Sequence, residues 1–320
     1  MLLTWGELLA ETGEALGRGN EARWVVEQVS GQDLRGLPGF LEEPAPARAV
    51  AACRAMVRRR EAGEPLQYVL GRWPFRRLEL LVDRRVLIPR PETEQVVEVA
   101  RQELGALAGP GRPRLAVDLG TGSGAIALSL AAEEMGLTVW ATDASAGALA
   151  VARANLAGLG GWAAPRVRLV QGEWYGALPA GVRGQVQLVV ANPPYVAEAE
   201  VKGLPDEVAA WEPREALVSG PTGMEGVEAV VSGAPDWLSS PGSLVVELAP
   251  HQAPHGLALA ERAGFDEASV RVDLAGRPRV LVARWGWRGA VSPAAAVGSV
   301  DQAGPGASPG SALPAGEVGR

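Results

Sequence analysis

The chain has 320 residues, 47% of them hydrophobic and 21% charged, with a formal net charge of −7. That composition suits a globular protein with a sizeable core and argues against wholesale wrapping of nucleic acid, although a local basic patch is compatible with it. A single cysteine, Cys53, excludes an internal disulfide and any multi-thiolate metal site. No apolar run reaches membrane-spanning length and no charged-then-apolar leader opens the sequence, so a cytoplasmic protein without a membrane partner is expected.

Residues 1 to about 84 read as helices, with amphipathic stretches near 2–16, 20–30 and 46–62 separated by Gly/Pro punctuation such as "GLPGFLEEPAP". Cys53 falls in the third of these, where a small buried hydrophobe is a simpler reading than a nucleophile. A transition follows, with short extended runs at 73–82 and 86–88 that could pair as a hairpin. Pro91 then opens a helix through Leu104, with Glu92 and Glu94 in its first turn to suit the helix dipole.

From Leu115 the grammar changes to alternating strand and helix. Apolar runs at 114–120, 138–143, 166–172, 185–191 and 242–249 lack polar alternation, as expected of parallel strands buried on both faces. Helical segments at 124–136, 145–160 and 224–239 lie between them. Two last runs, 268–273 and 278–284, flank the turn signal "LAGRP" and are expected to be antiparallel at the end of the sheet. The organisation that follows is an N-terminal helical domain with a bridging hairpin (1–84), a doubly wound α/β domain (85–288), and an Ala/Gly/Ser/Pro-rich tail (289–320). The tail has too few large apolar residues to offset ordering, and disorder is expected there. His251 and His255 are four apart, as metal ligands on a helix can be, but no acidic-histidine motif accompanies them and Pro250 and Pro254 flank them. No metal site is assigned.

Two motifs carry chemistry. In "VDLGTGSGAIAL" a strand leads through Gly120, Thr121, Gly122, Ser123 and Gly124 into a helix, a turn that lets backbone approach a ligand closely. Asp143, at the end of the second strand, suits a ribose diol. A dinucleotide satisfies both features. Asp118 tilts the reading toward S-adenosylmethionine, since a carboxylate two residues before the loop suits a sulfonium and an amino group and would repel a pyrophosphate. Trp174 in "GEWYGAL" offers a face for adenine.

The second motif is Asn192-Pro193-Pro194-Tyr195, which cuts off the apolar run Val186 to Ala191. Two prolines lack N–H groups and fix φ, so the strand cannot continue. At the C-terminal end of a parallel strand, where open α/β sheets bind ligands, the loop offers an amide oxygen and rigid backbone carbonyls as acceptors. Two acceptors can hold both hydrogens of an NH2 group while Tyr195 lies flat against a planar substrate. Such a nitrogen is a poor nucleophile because its lone pair is delocalised; hydrogen bonds that favour a tetrahedral nitrogen aim the lone pair at the methyl. From the residues alone, glutamine amides and adenine amines both qualify. An adenine amino-methyltransferase needs a basic surface, and residues 1–85 are near charge balance, with "MVRRREAG" the only dense basic run. A nicotinamide-dependent oxidoreductase is allowed by the glycine loop alone. A non-enzymatic cofactor-binding scaffold leaves the complete second motif unexplained.

The chain closely resembles the bacterial release-factor glutamine methyltransferases (the PrmC/HemK family). Beyond the two shared motifs, the likeness is carried by "GEPLQYVLGRWPF" (63–75), "LIPRPETE" (87–94), "WEPREALVSGPTGMEG" (211–226) and "DLAGRPRVLVAR" (273–284), in that order. It runs from about residue 5 to about residue 285. The resemblance implies a seven-stranded S-adenosylmethionine-dependent methyltransferase fold, and as substrate the glutamine of the Gly-Gly-Gln loop in class 1 peptide chain release factors. It implies cofactor contacts from Gly120 through Gly124, Asp143, Trp174 and Asn192, with Asn192 to Tyr195 holding the glutamine amide. The helical domain would dock the release factor, and no direct nucleic-acid binding is expected. Phe75, Arg90 and Glu92 would shape the cofactor side of the cleft or pack between domains.

Overall fold

The computed structural model describes residues 3–17, 19–34, 39–109 and 114–287; the expectation of a disordered tail lies outside the described residues. Residues 1–288 form one compact contact unit.

Three helices open the chain, α1 (Trp5–Leu16), α2 (Gly19–Ser30) and α3 (Ala47–Glu61). Thr4 starts α1 with a capping box: its hydroxyl accepts from the Glu7 N–H and the Glu7 carboxylate accepts from the Thr4 N–H. Trp5, Leu8, Val25, Val26, Ala49 and Cys53 converge in one apolar cluster. Cys53 is fully buried, with its sulfur 3.2 Å from the Thr12 hydroxyl, and burial pushes its thiol pKa up. It fills space, as a small hydrophobe does.

The transition differs from expectation in two ways. Leu66–Leu70 forms a short helix, α4, and the hairpin lies entirely within the first extended run, as β1 (Arg72–Phe75) and β2 (Leu78–Leu81). Arg76 turns the chain with φ +52, held by its N–H to Glu94 and its guanidinium to Glu133 and Glu98. Residues 86–88 form no strand. They pass beneath Tyr68, whose hydroxyl donates to the Val86 carbonyl.

The main sheet has seven strands: β3 (Leu115–Leu119), β4 (Thr138–Asp143), β5 (Val167–Gln171), β6 (Val186–Ala191), β9 (Leu238–Glu247), β10 (Glu267–Val272) and β11 (Pro278–Trp285). A small parallel pair, β7 (Val196–Ala197) and β8 (Val218–Gly220), lies apart. The strand order is β10-β11-β9-β6-β3-β4-β5. β11 inserts between β9 and β10 and runs antiparallel to both; the remaining pairs are parallel. From β3 the chain steps one way to β4 and β5, then crosses to β6 on the other side of β3. The order therefore reverses between β3 and β6, where a crevice must open above the strand ends.

Helices α5 (Pro91–Ala106), α6 (Ala125–Glu133) and α7 (Ala146–Gly158) cover one face; α10 (Glu225–Trp237) and α11 (Ala253–Arg262) cover the other. Two short helices, α8 (Asp206–Trp211) and α9 (Arg214–Leu217), precede β8. Strand alternation sorts the side chains: Ala116 and Val245 face α5 and α6, while Val117, Leu119, Leu244 and Val246 face α10 and α11. Polar residues on the α5 face need partners, and Ser243 of β9 and Arg284 of β11 both donate to buried Glu103 of α5. Removing Glu103 takes from this guanidinium its buried carboxylate partner and leaves the more exposed Glu267 and the face of Trp287 beside it. Glu103→Ala is therefore expected to lower unfolding free energy by about 3 kcal/mol in denaturant titrations.

Candidate active site

A cavity of about 500 Å³ opens at that reversal point. Its floor comes from the ends of four strands: Gly120 to Ser123 after β3, Asp143 closing β4, Trp174 after β5, and Asn192 and Pro194 after β6. Two further segments wall it. Arg85 to Leu87, Pro89 and Thr93 form one side, and Pro213, Glu215, Ala216, Val218 and Ser219 with Glu225 and Gly226 form the other.

The glycine loop is built by its own backbone. The N–H groups of Gly120 and Thr121 both donate to the Thr142 carbonyl, and the Gly122 N–H donates to Asp143 Oδ2 at 2.8 Å. Asp143 Oδ1 accepts from the Ser145 N–H, also at 2.8 Å, and burial raises this carboxyl's pKa. Gly122 has φ +56, and a Cβ there would meet open space, so the need for glycine is conformational and leaves room for a ligand. Gly124 (φ +86) does not border the cavity; it starts α6, where a Cβ would press on Leu128 at 3.0 Å. Asn155 of α7 braces the loop by donating to the Ser123 carbonyl and bonding both backbone groups of Leu81 in the hairpin.

Asp118 departs from expectation. It does not border the cavity: alternation along β3 turns its side chain to the face under α6, where Oδ2 accepts from the Thr121 hydroxyl (2.6 Å) and the Ala127 N–H (3.1 Å). Oδ1 is buried without a hydrogen-bond partner. Complete burial pushes the carboxyl up to about 7. Asp118 ties the loop to the first turn of α6 from below.

The Asn-Pro-Pro-Tyr loop divides its residues between two cavities. Asn192 and Pro194 border the first; Tyr195 borders a separate one of about 470 Å³ with Val196, Ala249 and His251. Burial and the neighbouring Glu247 carboxylate push the Tyr195 phenol up to about 12. Its carbonyl is not free, because Gln252 Nε2 donates to it and to the Gly223 carbonyl. Pro193 is buried, and Gly226 packs so closely that a Cβ would lie 3.1 Å from the Pro194 carbonyl oxygen and 3.2 Å from the Pro193 side chain. The "GPTGMEG" segment thus props the loop from outside. Phe75 sits in the core under α5, Arg90 pairs with Glu212, and Glu92 pairs with Arg277; none of the three borders the cavity.

Sequence reasoning passed over a chain of polar groups behind Asn192. Asn192 Nδ2 donates to Thr93 Oγ1 (3.2 Å), and that hydroxyl donates to Glu247 Oε2 (2.7 Å). A lone acid ending the apolar strand "SLVVE" was the available signal for Glu247. Nothing local marked Thr93 inside "RPETE". His255 lies 3.4 Å from Glu228, and among the described residues no group of three or more His, Cys, Asp or Glu could hold a metal ion. No helix of the described residues is long and apolar enough to cross a membrane.

Residues 2–71 match the PrmC N-terminal domain, and residues 104–209 match the methyltransferase small domain. The release factor glutamine methyltransferase of Bordetella pertussis is 41% identical over 260 residues, spanning 81% of this chain and 92% of that protein. The chain belongs to the release factor glutamine methyltransferase family. Its relative of the same name in Geobacter sulfurreducens is 36% identical over 278 residues, 87% of this chain and 93% of that protein. Among solved structures, the hMettl16 catalytic domain in complex with MAT2A 3′UTR hairpin 6 aligns with a TM-score of 0.51 at 16% identity, covering 77% of this chain and 84% of that one. At that identity the likeness extends to the fold alone.

In this member of the release factor glutamine methyltransferases, the buried Asp118 has a measurable signature. An aspartate ordinarily ionises near 3.8, whereas folding holds this one neutral up to about 7. Stability is thus lost as pH rises through that window. Asn can keep its Oδ1 in both of Asp118's bonds and has no charge to bury. Asp118→Asn is expected to gain on wild type as pH rises from about 5 to about 8, read as the difference in melting temperature without ligand.

Proposed function

We propose that the chain transfers a methyl group from S-adenosylmethionine to the side-chain amide nitrogen of the glutamine in the Gly-Gly-Gln motif of class 1 peptide chain release factors. The observation that carries the reading is a shared cavity: Asn192 ends β6 within the pocket formed by the glycine loop, in a chain whose relatives match over nine-tenths of their length. S-adenosylmethionine supplies an electrophilic methyl on a sulfonium and departs as a neutral thioether.

The residues fit that cofactor. Open space at Gly122 admits a ligand against the backbone, and Asp143 keeps further lone pairs for ribose hydroxyls after accepting from Gly122 and Ser145. Trp174, at φ +44 beside Gly120, offers an apolar face to adenine. Asn192 Oδ1 makes no hydrogen bond among the described residues and is placed to accept from the substrate NH2. The glutamine amide must reach Asn192 inside the first cavity, because direct transfer needs the nitrogen within about 3–3.5 Å of the methyl. The residues that hold the amide also keep water out, and positioning supplies most of the acceleration. The amide proton becomes acidic only as the N–C bond forms, so no dedicated base is needed, and the proton leaves to solvent as the product does.

Docking of the whole factor must provide specificity, because an isolated glutamine offers few groups to grip. The helical segment 1–84 is the proposed docking surface; none of its described residues borders the first cavity. Asp143→Ala is expected to weaken S-adenosylhomocysteine binding by roughly 1.5–3 kcal/mol, the value of hydrogen bonds to a charged group, by calorimetry. The substrate test is methyl transfer from labelled S-adenosylmethionine to purified release factor, to its Gln→Ala variant and to total RNA. Label is expected on the factor alone. Label on RNA with none on the factor would overturn the reading in favour of an adenine amino-methyltransferase.

A further inference from the structure

We propose that Thr93 and Glu247 are positioning residues that fix which end of the Asn192 amide faces the reacting nitrogen, an inference that rests on Asn192 holding the substrate NH2. The two ends of an asparagine amide have nearly the same shape and opposite hydrogen-bonding character. A half-turn about the last side-chain bond would aim Nδ2 at the substrate NH2, donor against donor. Packing discriminates poorly between the two orientations, so a polar partner must do so.

Thr93 is that partner, and Glu247 gives it direction. A hydroxyl has one proton, and that of Thr93 goes to Glu247 Oε2 at 2.7 Å. Only lone pairs then remain toward Asn192, and only Nδ2 can answer them, at 3.2 Å. Oδ1 is thereby turned to the substrate. Thr93 is 4% exposed and Glu247 1%, so water has little access to substitute for either link. The chain spans three elements far apart in sequence. Glu247 shares with Val245 the face of β9 covered by α5, Thr93 lies in the first turn of α5, and Asn192 follows the neighbouring strand β6.

The direction holds only while Glu247 is ionised. Burial, joined by Glu92, pushes its carboxyl up to about 7, against the Thr93 bond and the positive charges of Arg279 on β11 and Arg90 before α5; Tyr195 is the remaining ionisable neighbour. Once protonated, Glu247 can donate to Thr93 as well as accept from it, so the Thr93 proton is no longer committed to Glu247 and can turn toward Asn192, drawing the acceptor end of the amide away from the substrate. Turnover therefore falls as pH drops through this titration.

The test measures kcat, KM for release factor and S-adenosylhomocysteine affinity for wild type, Thr93→Val, Thr93→Ser and Asn192→Ala, on either side of pH 7, with melting temperature as the check on folding. Thr93→Val is expected to lower kcat roughly 10–100-fold, as misplacement of a reacting group does, with KM and cofactor affinity unchanged. Thr93→Ser restores most of the rate, and the acid limb of the wild-type kcat profile flattens in Thr93→Val. If Thr93→Val turns over normally while Asn192→Ala does not, the positioning chain is wrong and the role of Asn192 stands. If Asn192→Ala itself turns over normally, the reading beneath the inference fails. Loss of cofactor affinity in step with kcat in Thr93→Val would overturn the inference by making Thr93 part of the cavity wall alone.

Discussion

Two parallel strands that leave the sheet side by side, β3 and β6, set the conditions for everything around them. Both are fully buried, so neither can be followed by irregular backbone inside the core; each must turn outward at its C-terminal end. The glycine loop and the Asn-Pro-Pro-Tyr loop are two solutions to that requirement. One relies on left-handed glycines to fold back into α6. The other relies on prolines that cannot extend the ladder. Because Leu119 pairs with Ala191, the two turns begin at the same level, and both border the first cavity.

The face of the sheet under α5 and α6 carries an unusual set of buried carboxyls. Glu103 meets Arg284 and Ser243, Glu247 meets Thr93, and Asp118 meets Thr121 and Ala127. Each costs desolvation, which pushes the carboxyls of Asp118 and Glu247 up to about 7. The three differ in what they hold. Glu103 joins helix to strand far from the cavity, whereas Asp118 and Glu247 lie directly behind the two loops that border it. Their geometry serves the site more than stability, since apolar residues in those places would avoid the desolvation.

The remaining walls come from segments outside the sheet, strapped to each other. Arg90 pairs with Glu212, whose other oxygen accepts from the Ile88 N–H, and Arg84 stacks on Trp211. Arg60 of α3 reaches both Glu21 of α2 and Glu207 of α8. The helical N-terminus is thus connected to the segment leading into the cavity wall.

Much of this was legible in the chain itself. The seven strands, their parallel character and the antiparallel end follow from apolar runs without polar alternation and from one turn signal. The glycine loop, Asp143, Trp174 and Asn192 follow from residues whose conformational or chemical needs are local. What sequence could not assign is the direction a side chain takes once neighbours are packed. Asp118 was expected beside a sulfonium, but strand alternation placed it under α6. Tyr195 was expected on the same cavity as Asn192, but the loop it ends divides two cavities. The hairpin turned one step early because Arg76 found acids on α5 and α6. Thr93 and Glu247 stand 154 positions apart, and only the packing of α5 on β9 brings hydroxyl to carboxylate. Local chemistry decides which elements form and where a chain must turn; which buried groups meet behind those turns depends on contacts between elements that no local pattern encodes.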